Sequence, residues 1–329
     1  MKLSLVIPCY NEEKNVRPMF DACRDVFGGA GFSYEMIFVN DGSRDGTWKE
    51  LKALKAEGNG SVRCINFSRN FGKEAAMYAG LKESRGEYVT VIDADLQQRP
   101  EVALTMVEYL DDHPDTDCVT AFQQERNEGV ILRFFKKCFY GIINAVSEVD
   151  FHQGASDFRT FRRNMADAIL SLGEYYRFSK GIFSWVGFET HFMPYRAEAR
   201  NAGRSTWSFR KLFKYAIEGI VAFTTKPLKI ATGMGITMAL LSLIYLIIVV
   251  VQKLTVGIDV PGYATIIVLI LLIGGIQLIT LGIVGEYIAR IYIQGKNRPV
   301  YIVKEITGSE SPSAGASPAP HRGHKIDAV

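Results

Sequence analysis

The sequence has no C-x-x-C pair, no glycine-rich phosphate loop and no block of basic residues, and each absence removes a class of function. Its five cysteines, Cys9, Cys23, Cys64, Cys118 and Cys138, are odd in number and widely spaced. That argues against a zinc site or dithiol redox centre and for reduced, structural thiols. No G-x-G-x-x-G follows the first β-type run and no G-x-x-x-x-G-K-[ST] occurs anywhere, which disfavours a dinucleotide-dependent dehydrogenase and a P-loop enzyme. The formal net charge is only +3, without Lys/Arg clustering, so no nucleic-acid partner is expected. The first ten residues hold one lysine and a short apolar run broken by Pro8, unlike a signal peptide, and a cytoplasmic N-terminal half is expected.

What is present changes character near Pro227. Before it, short β-type runs at 3–7, 35–39, 62–67 and 88–92 alternate with segments of helical spacing. Alternation of this kind predicts an α/β domain with right-handed crossovers and a mainly parallel, Rossmann-like sheet covered on both faces. Ligands of such sheets bind beyond the carboxyl ends of the strands. Each run here ends in polar residues: Tyr10-Asn11-Glu12, Asn40-Asp41-Gly42-Ser43, Ser68-Arg69-Asn70 and Asp93-Ala94-Asp95. The strand ends are therefore expected to converge on one polar site.

After Pro227 the chain reads as membrane. Residues 228–251 and 264–293 are each long and apolar enough to cross a hydrocarbon core about 30 Å thick. Basic residues outside the pair (Lys226, Lys229, Arg290, Lys296, Arg298, Lys304) outnumber Lys253 between them, which predicts cytoplasmic N- and C-termini. Gly274, Gly275, Gly282 and Gly285 in the second span permit close helix packing, within or between subunits. Segments 130–146 and 208–222 place apolar and basic residues on opposite helical faces, as expected either of core-facing helices or of helices lying at a lipid headgroup surface. The expected organisation is a cytoplasmic domain over 1–226, a membrane domain over 227–305 and a disordered tail, rich in Ser, Pro, Ala and Gly, over 306–329.

The strongest local chemical signal is Asp93-x-Asp95 at the end of an apolar run. Paired carboxylates there suit Mg²⁺ or Mn²⁺ bridging a diphosphate, although Asp pairs at strand ends also serve as turn and cap residues. Asp41, in Asn40-Asp41-Gly42-Ser43, is placed to accept hydrogen bonds from a base or ribose, while Asp45 reads as a helix cap.

Together these motifs carry a resemblance. Val6-Ile7-Pro8-Cys9-Tyr10-Asn11-Glu12-Glu13, Asn40-Asp41-Gly42-Ser43, Arg69-Asn70-Phe71-Gly72-Lys73 and Asp93-Ala94-Asp95-Leu96-Gln97, in this order, resemble the inverting GT-A glycosyltransferases of family 2. Gly154-Ala155-Ser156-Asp157-Phe158-Arg159, the 180–188 segment, Arg200-x-x-Gly203-x-Ser205-x-Trp207 and the two apolar spans resemble polyprenyl-phosphate glycosyltransferases, especially bactoprenol glucosyltransferases of the GtrB type. The resemblance covers residues 3 to 305. It implies a GT-A domain followed by two transmembrane helices, a nucleotide-sugar donor (UDP-glucose ahead of UDP-N-acetylhexosamine and GDP-mannose), a polyprenyl-phosphate acceptor, a Mg²⁺ or Mn²⁺ cofactor, and it allows a homotetramer. It places Asp41 on the nucleobase, Asp93 on the ribose or diphosphate, Asp95 and Gln97 at the metal, and Pro8, Tyr10 and Glu12 in the nucleotide pocket. Gln98-Arg99-Pro100 departs from the usual pattern and is expected to alter a loop rather than the chemistry. Ser205-Thr206-Trp207 departs from the mannosyl-transferring relatives and leaves the sugar open.

A phosphate acceptor is already an anionic nucleophile, so positioning and leaving-group stabilisation matter more than a strong base. Asp157 matches the Asp that relatives place near the acceptor, there to orient the sugar or take a residual proton, against a plain loop or cap role. Arg159, Arg200 and Arg204 are the acceptor-phosphate candidates, because guanidinium forms paired hydrogen bonds to phosphate oxygens, with Arg200 foremost. A non-catalytic membrane assembly subunit is the rival from another class.

Overall fold

Side chains alternate across a strand, so a strand covered on both faces must be apolar at successive positions. The first run does this: Leu3, Leu5, Ile7 and Cys9 enter one core, and Val6 enters another on the opposite face. In the computed structural model, which describes residues 1–57, 61–123, 155–196, 224–255 and 262–307, this run is β1 (Leu3–Cys9). It is followed by α1 (Val16–Gly28), β2 (Tyr34–Asn40), α2 (Thr47–Glu57), β3 (Val62–Phe67), α3 (Lys73–Glu83), β4 (Tyr88–Val91) and α4 (Pro100–Asp112). Beyond these come β5 (Cys118–Gln123), β6 (Ala155–Arg162), α5 (Arg163–Ser171), α6 (Ser179–Trp185) and β7 (Thr190–Tyr195). Two long helices, α7 (Lys226–Thr255) and α8 (Tyr263–Gly295), and β8 (Val303–Thr307) complete the described chain.

The strands form one sheet in the order β7-β5-β6-β4-β1-β2-β3-β8. Its centre is parallel, β4-β1-β2-β3, whereas β6 runs antiparallel to β4 and β5, and β8 antiparallel to β3. The sheet is therefore mixed, with the expected parallel order at its centre. Helices α1, α2 and α4 pack one face through Met19, Leu51 and Met106. Helices α3, α5 and α6 cover the other through Met77, Met165 and Ile182. Fully burying each such side chain is worth about 1.5–3 kcal/mol. Gly80 lets α3 lie close on β1, since a Cβ there would come 2.3 Å from Val6 Cγ1.

The two long helices reverse this distribution: they leave Leu240, Leu243, Leu246, Leu278 and Leu281 exposed. By length and composition both can cross a membrane, with mean hydropathy 2.7 over Lys226–Gln252 and 1.6 over Leu272–Gly295. Their outer ends come together, the Tyr287 hydroxyl donating to the Thr224 carbonyl at 2.7 Å. Arg290 pairs with Glu286 one turn earlier at 3.6 Å.

One expected boundary needs correction. The sequence places residues 296–305 in the membrane domain and 306 onward in a tail, but the chain leaves α8 and rejoins the sheet as β8. Gln294 is clasped first: its carboxamide accepts from Tyr175 N–H at 2.8 Å and donates to the Gly173 carbonyl at 2.9 Å. Tyr301 then stacks on Phe67 at 4.9 Å, Ile302 accepts from Ser68 N–H at 3.0 Å, and Val303–Thr307 pairs along β3. The physical reason is that β3 would otherwise be an open edge with unpaired backbone groups. The helical hairpin is thus inserted within the α/β domain. The expected amphipathic segments 130–146 and 208–222, and residues 308–329, lie outside the described residues.

Candidate active site

The polar residues after β1, β2, β3 and β4 are laced into one cluster, as their position at the strand ends requires. Asn11 donates its N–H to Ser43 Oγ at 2.9 Å and accepts from Arg44 N–H at 2.9 Å. Asn40 donates to Asn66 Oδ1 at 2.8 Å. Asp45 accepts from Thr47 N–H at 3.1 Å at the start of α2, the capping role its position predicted. Pro8 is the penultimate residue of β1, exposed Tyr10 follows the strand, and Glu12 accepts from the Asn15 carboxamide at 2.5 Å before α1.

Asp41 lies at the centre of this cluster and is buried. Its carboxylate accepts from Phe71 N–H at 2.6 Å and Gly72 N–H at 2.9 Å, tying the end of β2 to the loop that opens α3. Burial pushes its pKa up, and the two N–H donors and Arg69 pull against that. The neighbouring Gly42 is a required glycine: its φ is +62°, and a Cβ would lie 2.3 Å from the Arg69 carbonyl carbon.

The loop held by Asp41 delivers Lys73, the first residue of α3. Its ammonium bridges Asp93 Oδ1 at 2.6 Å and Asp157 Oδ2 at 3.0 Å. Burial disfavours the charge on Lys73, but the two carboxylates outweigh it and hold its pKa well above the usual lysine range. Lys73 has no role that the Arg69-Asn70-Phe71-Gly72-Lys73 motif alone assigns; its one local mark is a cation opening a helix at the strand-end level of Asp41 and Asp93.

At the end of β4, Leu96 turns through the left-handed region (φ 60°) and reverses the chain between the two acidic residues and Gln97. Asp95 is 8% exposed and accepts from Gln97 N–H at 3.2 Å. Gln98 corrects an expectation, because it does more than shape a loop. Its carboxamide accepts from Asp93 N–H at 2.8 Å and donates to Asp93 Oδ2 at 3.2 Å, fixing that carboxylate from a buried position. Its length lets one side chain meet both the backbone and the carboxylate of Asp93, which is why the departure bears on the site itself.

The donor set of Asp93 and Asp95 fits a hard divalent cation: oxygen ligands on a strand-end turn, with Gln97 beside them. Among the described residues no group of three or more His, Cys, Asp or Glu gathers in metal-binding geometry. Mg²⁺ is usually held by one or two carboxylates together with water and substrate oxygens, so a pair such as Asp93 and Asp95 is a sufficient protein contribution to such a site.

Asp157, on β6, forms the opposite wall. It accepts from Lys73 and, at 3.2 Å, from the Ser179 hydroxyl. Burial raises its pKa, but Lys73, Lys180 and Arg159 together outweigh burial and leave the carboxyl well below its ordinary range. Arg159 sits two residues on along β6 and is 5% exposed. Its guanidinium stacks 3.9 Å from the Phe183 ring and donates to the Ser156 carbonyl at 2.8 Å, so its charge acts on Asp157 from within the fold instead of standing on open surface. Arg200 and Arg204 lie outside the described residues. Glu74 and Ser179, which meet beneath Asp157, carried no signal in the sequence.

Lys73 thus joins Asp93, at the end of β4, to Asp157 on β6 in one polar site at the mouth of the sheet. Residues 4–170 match glycosyl transferase family 2 and residues 226–291 match the GtrB C-terminal hairpin, so the chain belongs to glycosyl transferase family 2. It is 39% identical over 306 residues to the SfII prophage-derived bactoprenol glucosyl transferase of Shigella flexneri, covering 93% of this chain and 98% of that one. It is 40% identical over 311 residues to an uncharacterized glycosyltransferase of Synechocystis sp., covering 94% and 97%. Among solved structures, glucosyl-3-phosphoglycerate synthase from Mycobacterium tuberculosis, in complex with Mn²⁺, UDP and phosphoglyceric acid, aligns with a TM-score of 0.48 at 18% identity over 67% of this chain and 76% of that one.

Proposed function

We propose that this glycosyltransferase moves glucose from UDP-glucose to polyprenyl phosphate, with inversion at the anomeric carbon. The observation that carries the reading is the Lys73 bridge between Asp93 and Asp157, at 2.6 and 3.0 Å, in a domain whose sheet is closed by the strand following an apolar hairpin. Donor-side and acceptor-side carboxylates thus share one cation, which brings the two proposed substrate-binding groups within reach of each other. The relatives named bactoprenol glucosyl transferase support the acceptor and the sugar.

In this reading Pro8, Tyr10, Glu12 and Asp41 border the nucleoside, with Asp41 acting both on the base and through the 71–72 backbone. Asp93, Asp95 and Gln97 hold Mg²⁺ or Mn²⁺, which when bound supplies positive charge to the departing diphosphate. Asp157 orients the acceptor, Arg200, Arg159 and Arg204 hold its phosphate, and Arg159 also helps keep the Asp157 pKa low. The two long helices span the membrane with both termini cytoplasmic, a topology supported by the contact between Thr224 and Tyr287 and by the clasp on Gln294. The second span, with Gly274, Gly275, Gly282 and Gly285, packs the chain into a homotetramer, a point tested by its mass in detergent.

The test is purified full-length chain with polyprenyl phosphate, Mg²⁺ or Mn²⁺, and a panel of labelled UDP-glucose, UDP-N-acetylhexosamine and GDP-mannose. Label is expected in lipid from UDP-glucose. Label from another donor corrects the sugar, and none from any donor favours an assembly subunit.

A further inference from the structure

The last turns of α8 carry two unlike faces. Ile288, Ile291 and Tyr292 are exposed, as side chains turned toward lipid would be. Tyr287, Arg290 and Gln294, three and then four residues apart, share another face, and each touches a segment outside the helix. Tyr287 holds the Thr224 carbonyl at 2.7 Å just ahead of α7, and Arg290 lies 5.2 Å from the centre of the Tyr176 ring. Gln294 accepts from Tyr175 N–H at 2.8 Å and donates to the Gly173 carbonyl at 2.9 Å. A carboxamide offers both a donor and an acceptor, and here each meets a backbone group between α5 and α6.

The loop so held, 172–178, ends at Asp157. Ser179, the first residue of α6, donates its N–H toward both Glu74 carboxylate oxygens at 3.0 Å, and its hydroxyl lies 3.2 Å from Asp157 Oδ1. Between the two ends, Arg177 bonds back to the Leu172 carbonyl at 2.8 Å and the Ile169 carbonyl at 3.2 Å, and its guanidinium stacks 4.3 Å from the Tyr78 ring. These bonds leave the loop little slack. A shift at Gly173 and Tyr175 is therefore passed on to Ser179 and its contact with Asp157.

From this geometry we propose that Gln294 is a positioning residue for the acceptor: by clasping Gly173 and Tyr175 it sets the height of Ser179 and Asp157 above the bilayer. The inference rests on the proposed transfer to polyprenyl phosphate. The prenyl chain holds that phosphate at one depth, so the protein has to bring its own reacting groups to the same depth. The nucleotide-sugar arrives through water and carries no such constraint. Reacting atoms have to meet at about 3–3.5 Å, and a misplacement of about 1 Å costs up to about 10²-fold in rate. The 172–178 loop is the short path from the membrane helix to the acceptor wall, and Gln294 fastens its membrane end. It touches no substrate and acts through the loop.

The test compares two acceptors on full-length Gln294→Leu, which keeps helix propensity and most of the side-chain bulk and loses both bonds. One acceptor is long-chain polyprenyl phosphate in vesicles of phosphatidylethanolamine and phosphatidylglycerol; the other is geranyl phosphate, short enough to approach from water. Each is supplied with Mg²⁺ and labelled UDP-glucose. The expected result is a loss of about tenfold in kcat/KM for the vesicle acceptor, with geranyl phosphate and the UDP-glucose KM altered by less than about twofold. Gln294→Glu still accepts from Tyr175 N–H and should recover part of the loss, to about threefold. Tyr176→Leu removes the ring beneath Arg290; it should shift the same ratio in the same direction and carries the test if Gln294→Leu does not fold. An equal loss on both acceptors, a loss confined to UDP-glucose, or no loss overturns the positioning role while the functional reading stands. A wild-type chain that labels neither acceptor overturns both.

Discussion

The two walls of the cleft hold their carboxylates in different ways. On the proposed donor wall, Asp93 keeps 32% of its side chain exposed and is held by the half-exposed Lys73 and the buried Gln98. On the acceptor wall, Asp157 is 20% exposed, lies in the field of three cations, and stands over the Ser179–Glu74 pair. In the proposed function the more exposed Asp93 meets the donor, while Asp157, held well below the usual carboxylate range by its cations, faces the acceptor. Lys73 links the two through its ion pairs to Asp93 and Asp157.

The largest effect that breaks this comparison comes from the donor wall. Asp95→Asn retains an oxygen to accept from Gln97 N–H, so the turn should fold, but it removes the negative charge. The expected loss in kcat/KM is about 10²–10³-fold, the scale of removing one electrostatic contributor to a transition state. Titrating Mg²⁺ or Mn²⁺ against nucleotide binding should show weakened metal-dependent affinity. An unaltered activity would mean that the donor wall is not where leaving-group charge is met.

A smaller effect sharpens the link between the walls. Lys73→Met keeps length and helix propensity and removes the cation that now occupies Asp93 at 2.6 Å. Lys73 and a divalent ion compete for that carboxylate, so the variant should need less metal for half-maximal nucleotide binding. It should also turn over about 10–100-fold more slowly, because the acceptor wall loses its nearest counter-charge. Slower turnover together with a higher metal requirement would place Lys73 as a support of the metal site instead of its competitor.

Legibility of the fold followed burial. Residues 62–67 were recognisable as β3 because a strand buried on both faces needs an unbroken β-favouring run, and β4 likewise. Asp93 and Asp95 were legible because acidic residues directly after such a run stand at the mouth of the sheet. Lys73 was not, since its partners Asp93 and Asp157 reach it only through folding, Asp157 from 84 residues away. Glu74 and Ser179 were hidden for the same reason, being 105 residues apart and ordinary in their local setting. β8 was missed on physical grounds: Val303–Thr307 is an edge strand with two apolar residues, next to a polar segment, and the pairing along β3 supplies what its own sequence lacks.

That returning segment sets the smallest effect, one that separates the catalytic sheet from the membrane hairpin. Tyr301 lies flat on Phe67 at 4.9 Å and edge-on to Tyr78 at 6.3 Å, between the end of α8 and the start of β8. Tyr301→Ala removes a ring stack worth about 0.5–1.5 kcal/mol plus part of its apolar burial, for a total near about 2 kcal/mol. In a domain of this size that lowers Tm by about 4–8 °C, and Tyr301→Phe should recover most of it. The neighbouring bond from Ser68 N–H to the Ile302 carbonyl stands at the head of the loop that Asp41 holds, so Tyr301→Ala should also raise the donor KM a few-fold while leaving the acceptor KM unchanged. Protease cleavage after residue 296 should appear in Tyr301→Ala and not in Tyr301→Phe. If Tm and donor KM both stay at wild-type values, the returning strand only covers the sheet edge, and the hairpin is tethered to the catalytic domain at the Thr224 and Gln294 contacts alone.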